Sequence, residues 1–174
     1  MKYLILIFVT FIIMEPACSQ PPDSRPPVRN DAFDKELTRL LSFSVPTIGV
    51  RELKDIQNEV YIFDAREEEE YRTSHIEGAR YLGYKKFEKQ NLADVPKNAK
   101  VVLYCSVGYR SEKMGERLLK MGFTDVNNLY GSIFEWVNQG YPIVGPDGEP
   151  TRKVHTYNSK WSQWIVNDQA EKVW

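Results

Sequence analysis

Residues Lys100–Gly122 restrict the architecture of this chain more than any other stretch. Lys100-Val-Val-Leu-Tyr104 is a short apolar run with the composition of a buried parallel strand. Cys105-Ser-Val-Gly-Tyr-Arg-Ser111 follows without a break. Beyond it Met114, Leu118 and Met121 recur at i, i+4 and i+7 up to Gly122, a helix with a glycine at its C-terminal end. A buried strand, a glycine-containing turn and an amphipathic helix define an α/β unit. In open α/β sheets, ligands bind beyond the carboxyl ends of the strands, and that is where Cys105 falls. Backbone N–H groups of the turn and the positive end of the helix dipole converge there, favouring an anion. A thiolate is such an anion: a helix-end effect of up to ~2 kcal/mol lowers a thiol from ~8.5 toward ~7. The alternative for Cys105 is an inert buried cysteine.

The same alternation runs through the chain. Thr47–Val50 reads as a strand, Arg51–Gln57 as a helix and Val60–Phe63 as a second strand. Glu67–Arg72 reads as a short helix, with the acidic run Glu67–Glu70 as its solvated first turn. Tyr84–Gln90 reads as a helix bearing Lys85, Lys86 and Lys89, which face solvent or draw in an anionic ligand. Thr124–Leu129 is expected to be a strand and Ser132–Gln139 a helix with Ile133, Trp136 and Val137 inward. Ahead of this unit, Asp31 is expected to cap a helix from Ala32 to Leu41 with Phe33, Leu37, Leu40 and Leu41 on one face. After it, Pro142–Pro150 marks a turn-rich boundary. In the tail, Trp161, Trp164 and Ile165 have helical spacing and are expected to pack on the domain, near Phe33–Leu41, rather than to offer a partner surface.

At 174 residues the chain suits one domain. With 23 basic and 24 acidic residues its net charge is -1, which gives no sign of a nucleic-acid partner. Met1-Lys2 and the apolar run Tyr3–Met14 match a secretory signal, too short for a comfortable membrane span. Ala17 and Ser19 suit cleavage after Ser19; Cys18 offers the alternative of a lipid-modified N-terminus and a membrane tether. Either way the chain is expected to be exported, to the periplasm or a membrane anchor. Residues 1–19 are thus a signal peptide, 20–30 a proline-rich linker, 31–44 the N-terminal helix, 45–145 the principal domain and 146–174 an aromatic C-terminal extension. Cys18 and Cys105 are the two cysteines, too few for a disulfide framework.

Phe63-Asp-Ala-Arg66 with Glu70-Tyr71, His75-Ile-Glu-Gly-Ala79, Cys105–Ser111, Leu129-Tyr-Gly131 with Trp136, and Gly140-Tyr-Pro142 succeed one another in the chain. In that order they resemble the landmarks of the rhodanese, or thiosulfate sulfurtransferase, family over Val45–Val144. The resemblance implies a three-layer α/β/α fold around a five-stranded parallel sheet. It implies that Cys105 takes a sulfane sulfur from a small anionic donor such as thiosulfate and yields it from a persulfide to a thiol or cyanide. Arg110 would orient the donor, and the N–H groups of Ser106, Val107, Gly108, Tyr109 and Ser111 would stabilise the persulfide; no metal or organic cofactor is implied. Asp64 and Arg66 follow a strand end and are read as fixing neighbouring loops, and His75 as a hydrogen-bonded structural imidazole. Ser74 and Ser132 stand where the family usually has glycine. Two other readings are a non-catalytic binding module of the same fold and a cysteine phosphatase or arsenate reductase. The latter enzymes place five residues between cysteine and arginine, whereas four separate Cys105 from Arg110.

Overall fold

In the computed structural model, which describes residues 25–174, five parallel strands form the centre of the molecule. They are β1 (Thr47–Ile48), β2 (Tyr61–Asp64), β3 (Arg80–Tyr81), β4 (Lys100–Tyr104) and β5 (Asp125–Leu129), in the spatial order β1-β5-β4-β2-β3. Every pairing is parallel, and β4 is in register with β2 at Tyr61↔Val101 and with β5 at Lys100↔Asp125. Because successive strand residues face opposite ways, the sheet has two cores. Ile62, Val102 and Tyr104 face one, built with α1 (Asp31–Leu40), α2 (Val50–Ile56) and α5 (Ser132–Asn138). Phe63, Val101 and Leu103 face the other, built with Met114 and Leu118 of α4 (Tyr109–Lys120). The result is the expected α/β/α sandwich. The remaining helix, α3 (Glu68–Thr73), follows β2. The signal segment, Cys18 and residues 20–24 of the linker lie outside the described residues.

The N-terminal helix is capped by Asn30 rather than Asp31, since the Asn30 side chain accepts from the N–H groups of Ala32 and Phe33 (2.9 and 3.1 Å). A cap must stand outside the helix, and Asp31 is its first residue. The link from α1 to β1 is held by Glu112 at the start of α4. This buried carboxylate accepts from Ser42 N–H, Ser42 Oγ and Ser44 N–H at 3.0, 3.0 and 3.1 Å. Gly115 lets the same link approach, because a Cβ there would stand 2.9 Å from Val45.

Two segments depart from the sequence expectation. Tyr84–Gln90 is no helix: Gly83 adopts φ 75°, Glu88 N–H returns to Leu82 O (2.9 Å), and a 3-10 turn runs only over Lys89–Leu92. Phe87 explains part of this, lying under the Arg117 guanidinium at 3.8 Å, so tertiary contact overrides helix propensity. In the tail, Trp161–Trp164 form one 3-10 turn. Around it the extension adds β7 (Pro150–Thr151), antiparallel to β6 (Ile143–Val144), and a parallel pair, β8 (Lys153–His155) with β9 (Glu171–Val173). Trp164 stacks on Phe33 of α1 at 5.4 Å. Buried Asn138 fastens the turn, donating to Trp164 O and accepting from Val166 N–H, both at 2.8 Å.

Candidate active site

Cys105 lies between the last residue of β4 and the loop into α4, with 1% of its surface exposed. The loop is fixed from below. Cys105 N–H donates to Ser132 Oγ (3.1 Å), and the first N–H groups of α5, from Ile133 and Phe134, donate to the carbonyls of Cys105 and Ser106 at 3.3 and 3.2 Å. Gly108 turns the chain at φ 124°, a conformation that L side chains rarely adopt. That turn aims Gly108 N–H at Cys105 Sγ, 3.1 Å away. It also leaves Gly108 O to accept from Asn128 Nδ2 (3.0 Å) and Ser111 Oγ (3.1 Å), locking the turn to β5.

Burial pushes the Cys105 thiol up. The Arg110 charge and hydrogen bonds from Ser111 and Gly108 outweigh it, so the thiol lies below its ordinary value. Arg110 acts from the first turn of α4 without pointing at the sulfur. Its guanidinium forms a two-pronged ion pair with Glu70 (Nη1–Oε2 2.6 Å, Nη2–Oε1 2.7 Å) and donates to Ser106 Oγ at 2.9 Å. Glu70, 3% exposed, also accepts from Glu67 N–H at 3.0 Å and Ser106 Oγ at 3.2 Å. Burial alone raises its carboxyl, but the bond and charge of Arg110 bring it down to about 2. The acidic run is therefore not uniformly solvated: its last member is part of the site. The reciprocal capping bonds of Glu70 with Glu67 turn it inward, and a run of four glutamates does not single it out in the sequence.

The other expected residues surround this centre. Asp64 and Arg66 are both fully buried and paired, Nη2–Oδ2 2.6 Å, and Arg66 donates to Ser74 O at 2.6 Å. They tie the end of β2 to the loop after α3. His75 stacks on Tyr71 at 4.1 Å, and its backbone bridges to Val144 in both directions at 2.9 Å. Among the described residues no group of three or more His, Cys, Asp or Glu side chains is placed to hold a metal ion.

A cavity of about 290 Å³ opens above Cys105, Ser106 and Val107. Its walls come from across the chain: Leu40 of α1, Glu67, Tyr84, Tyr109, and, from the extension, Tyr157 and Trp161. No motif or periodicity in the chain singles out Tyr157. The Arg110 guanidinium lies 5.4 Å from its ring centre.

A parallel sheet whose central strand delivers a buried cysteine into a short loop ahead of a helix defines a cysteine-loop α/β architecture. The chain belongs to the family of rhodanese-like domains, whose profile matches residues 49–139. A sulfurtransferase from Allochromatium vinosum is 40% identical over 57 residues, covering 33% of this chain and 53% of that protein. A tRNA uridine(34) hydroxylase from Bacillus cytotoxicus is 36% identical over 83 residues, 44% of this chain and 25% of its own length. The chain thus spans about half or less of these relatives, whose names describe different reactions. In structure it is similar to the rhodanese-like domain of an Anabaena protein, with a TM-score of 0.54 at 22% identity over 57% of this chain and 79% of that one.

Proposed function

We propose that this protein is a sulfurtransferase that carries sulfane sulfur as a persulfide on Cys105. The observation that carries the reading is the Gly108 N–H directed at a thiol held below its ordinary pKa. The Cys105 thiolate attacks the outer sulfur of a donor, for which thiosulfate is the simplest case. The new S–S bond forms as the donor's S–S bond breaks, and its electron pair leaves with sulfite. A thiolate or cyanide then attacks the outer sulfur of the persulfide and returns an electron pair to Cys105. The loop N–H groups stabilise the anionic sulfur at both stages. Arg110 serves by lowering the thiol and ordering the loop, since Glu70 occupies two of its N–H groups. That engagement counts against phosphatase chemistry, in which the arginine has to close over an oxyanion.

Incubation with thiosulfate is expected to add the mass of one sulfur atom, cyanide to remove it, and Cys105→Ser to show neither. Phosphatase turnover on aryl phosphates with no persulfide from any donor would overturn the assignment. We also propose export, supported by the sequence of residues 1–19. Intact mass from the native host reads it: loss of the leader, or a lipid on Cys18, is expected, and a full-length cytoplasmic chain would refute it.

A further inference from the structure

Resting on the sulfurtransferase reading, we infer that the donor is an organic sulfane-sulfur compound, R–S–S⁻ or R–SO2–S⁻, with an apolar, preferably aromatic R seated against Tyr157 and Trp161. The cavity carries this assignment. Beyond the loop itself Leu40, Tyr84, Tyr109, Tyr157 and Trp161 line it together with Glu67 and Lys85, a largely aromatic enclosure far larger than a bare thiosulfate needs and near the lower end of organic-ligand pockets, about 300–1,000 Å³.

Charge points the same way. The cations facing the cavity, Lys85 and Arg110, are matched by the carboxylate of Glu67 at the wall and by that of Glu70, bonded to Arg110. The Cys105 thiolate adds one more negative charge. The loop N–H groups suit a single anionic sulfur, and a monoanion with an apolar body adds burial of that body, whereas a thiosulfate dianion has no apolar surface to bury.

Tyr157 is held in place for this at a cost. Its φ of 67° is a left-handed conformation unusual for an aromatic residue, and its ring stays 55% exposed instead of joining the core. The turn is fixed by Tyr157 N–H donating to His155 Nδ1 (3.1 Å) and by Thr156 N–H donating to Val173 O (2.7 Å). The transfer requires no outside oxidant. Cys105 S⁻ attacks the outer sulfur of R–SO2–S⁻, the donor S–S bond breaks, and its electron pair departs with the sulfinate R–SO2⁻, leaving Cys105–S–S⁻.

The test compares persulfide formation on the full chain from thiosulfate, methanethiosulfonate and benzenethiosulfonate, each rate divided by that donor's rate with a free thiol in solution. The corrected order is expected to be benzenethiosulfonate, then methanethiosulfonate, then thiosulfate. Tyr157→Asn, which keeps a residue tolerant of positive φ, should lower the ratio of the benzenethiosulfonate rate to the thiosulfate rate roughly fivefold. Trp161→Leu is the second variant and should act in the same sense. Thiosulfate equal to or better than the aryl donor, or an unchanged ratio in both variants, overturns the inference and leaves the sulfurtransferase reading standing. No persulfide from any of the three donors removes that reading, and the inference with it.

Discussion

Glu70 joins the capping of α3, the position of Arg110 and the hydroxyl of Ser106 in one buried carboxylate. Removing its charge or that of Arg110 should move the Cys105 thiol in opposite directions. Arg110→Ala deletes the cation that favours the thiolate and should raise the thiol pKa; Glu70→Gln deletes an anion bonded to that cation and should lower it. Titration of thiolate ultraviolet absorbance reads both, and shifts of the same sign would show that Arg110 does not act by charge. Arg110→Ala also strands a buried carboxylate and should cost about 3–5 kcal/mol in urea unfolding. The Glu70 pKa is depressed in the folded state from 4.5 to about 2. Its stabilisation, roughly 3 kcal/mol, is therefore complete above about pH 4.5 and lost as pH falls toward 2. Unfolding of the parent and of Glu70→Gln should accordingly converge across that window. At this scale the sequence was legible where chemistry concentrates, at Cys105 and Gly108. It was opaque at Glu70, where a run of four glutamates disguises one that turns inward.

At the scale of elements, β4, α4, β5 and α5 are readable because apolar periodicity and glycine punctuation agree with the packing they receive. β3 went unplaced: two residues, Arg80 and Tyr81, carry no periodicity, and they are a strand only because Phe63 and Asp64 lie beside them. The Trp161–Trp164 turn shows the converse. Its spacing suits a helix, but its backbone is engaged by Asn138 and its ring by Phe33. Trp164→Ala should destabilise the protein by about 2–4 kcal/mol, measured by urea denaturation, and Phe33→Leu should reproduce part of that loss. An effect within about 0.5 kcal/mol would show the stack to be incidental. His155 belongs to the same segment. Burial holds its imidazole below the usual value, so the neutral ring that accepts from Tyr157 N–H is favoured. A depressed pKa contributes stability present above about 6.5 and lost as pH falls. Amide exchange at Tyr157 should therefore accelerate on acidification below that value, and His155→Phe should remove this dependence.

Over the whole molecule, the core that faces α1, α2 and α5 also receives Val154, Ile165, Trp161 and Trp164 from the extension. Residues 146–174 are thus packed into the domain core, and unfolding should be a single event. Tryptophan fluorescence and far-UV circular dichroism should give one urea midpoint; an earlier fluorescence transition would mark the extension as a separate unit. The family match stops at residue 139, and the sequence landmarks stop nearby. The fold and the strand-end position of Cys105 were readable within those limits, whereas the cavity wall beyond them combines residues more than a hundred positions apart. Leu40 comes from before the matched region and Tyr157 and Trp161 from after it, yet all three border the cavity above Cys105. Such a division would let changes in the two flanks alter what enters the cavity while leaving the loop that holds Cys105 intact.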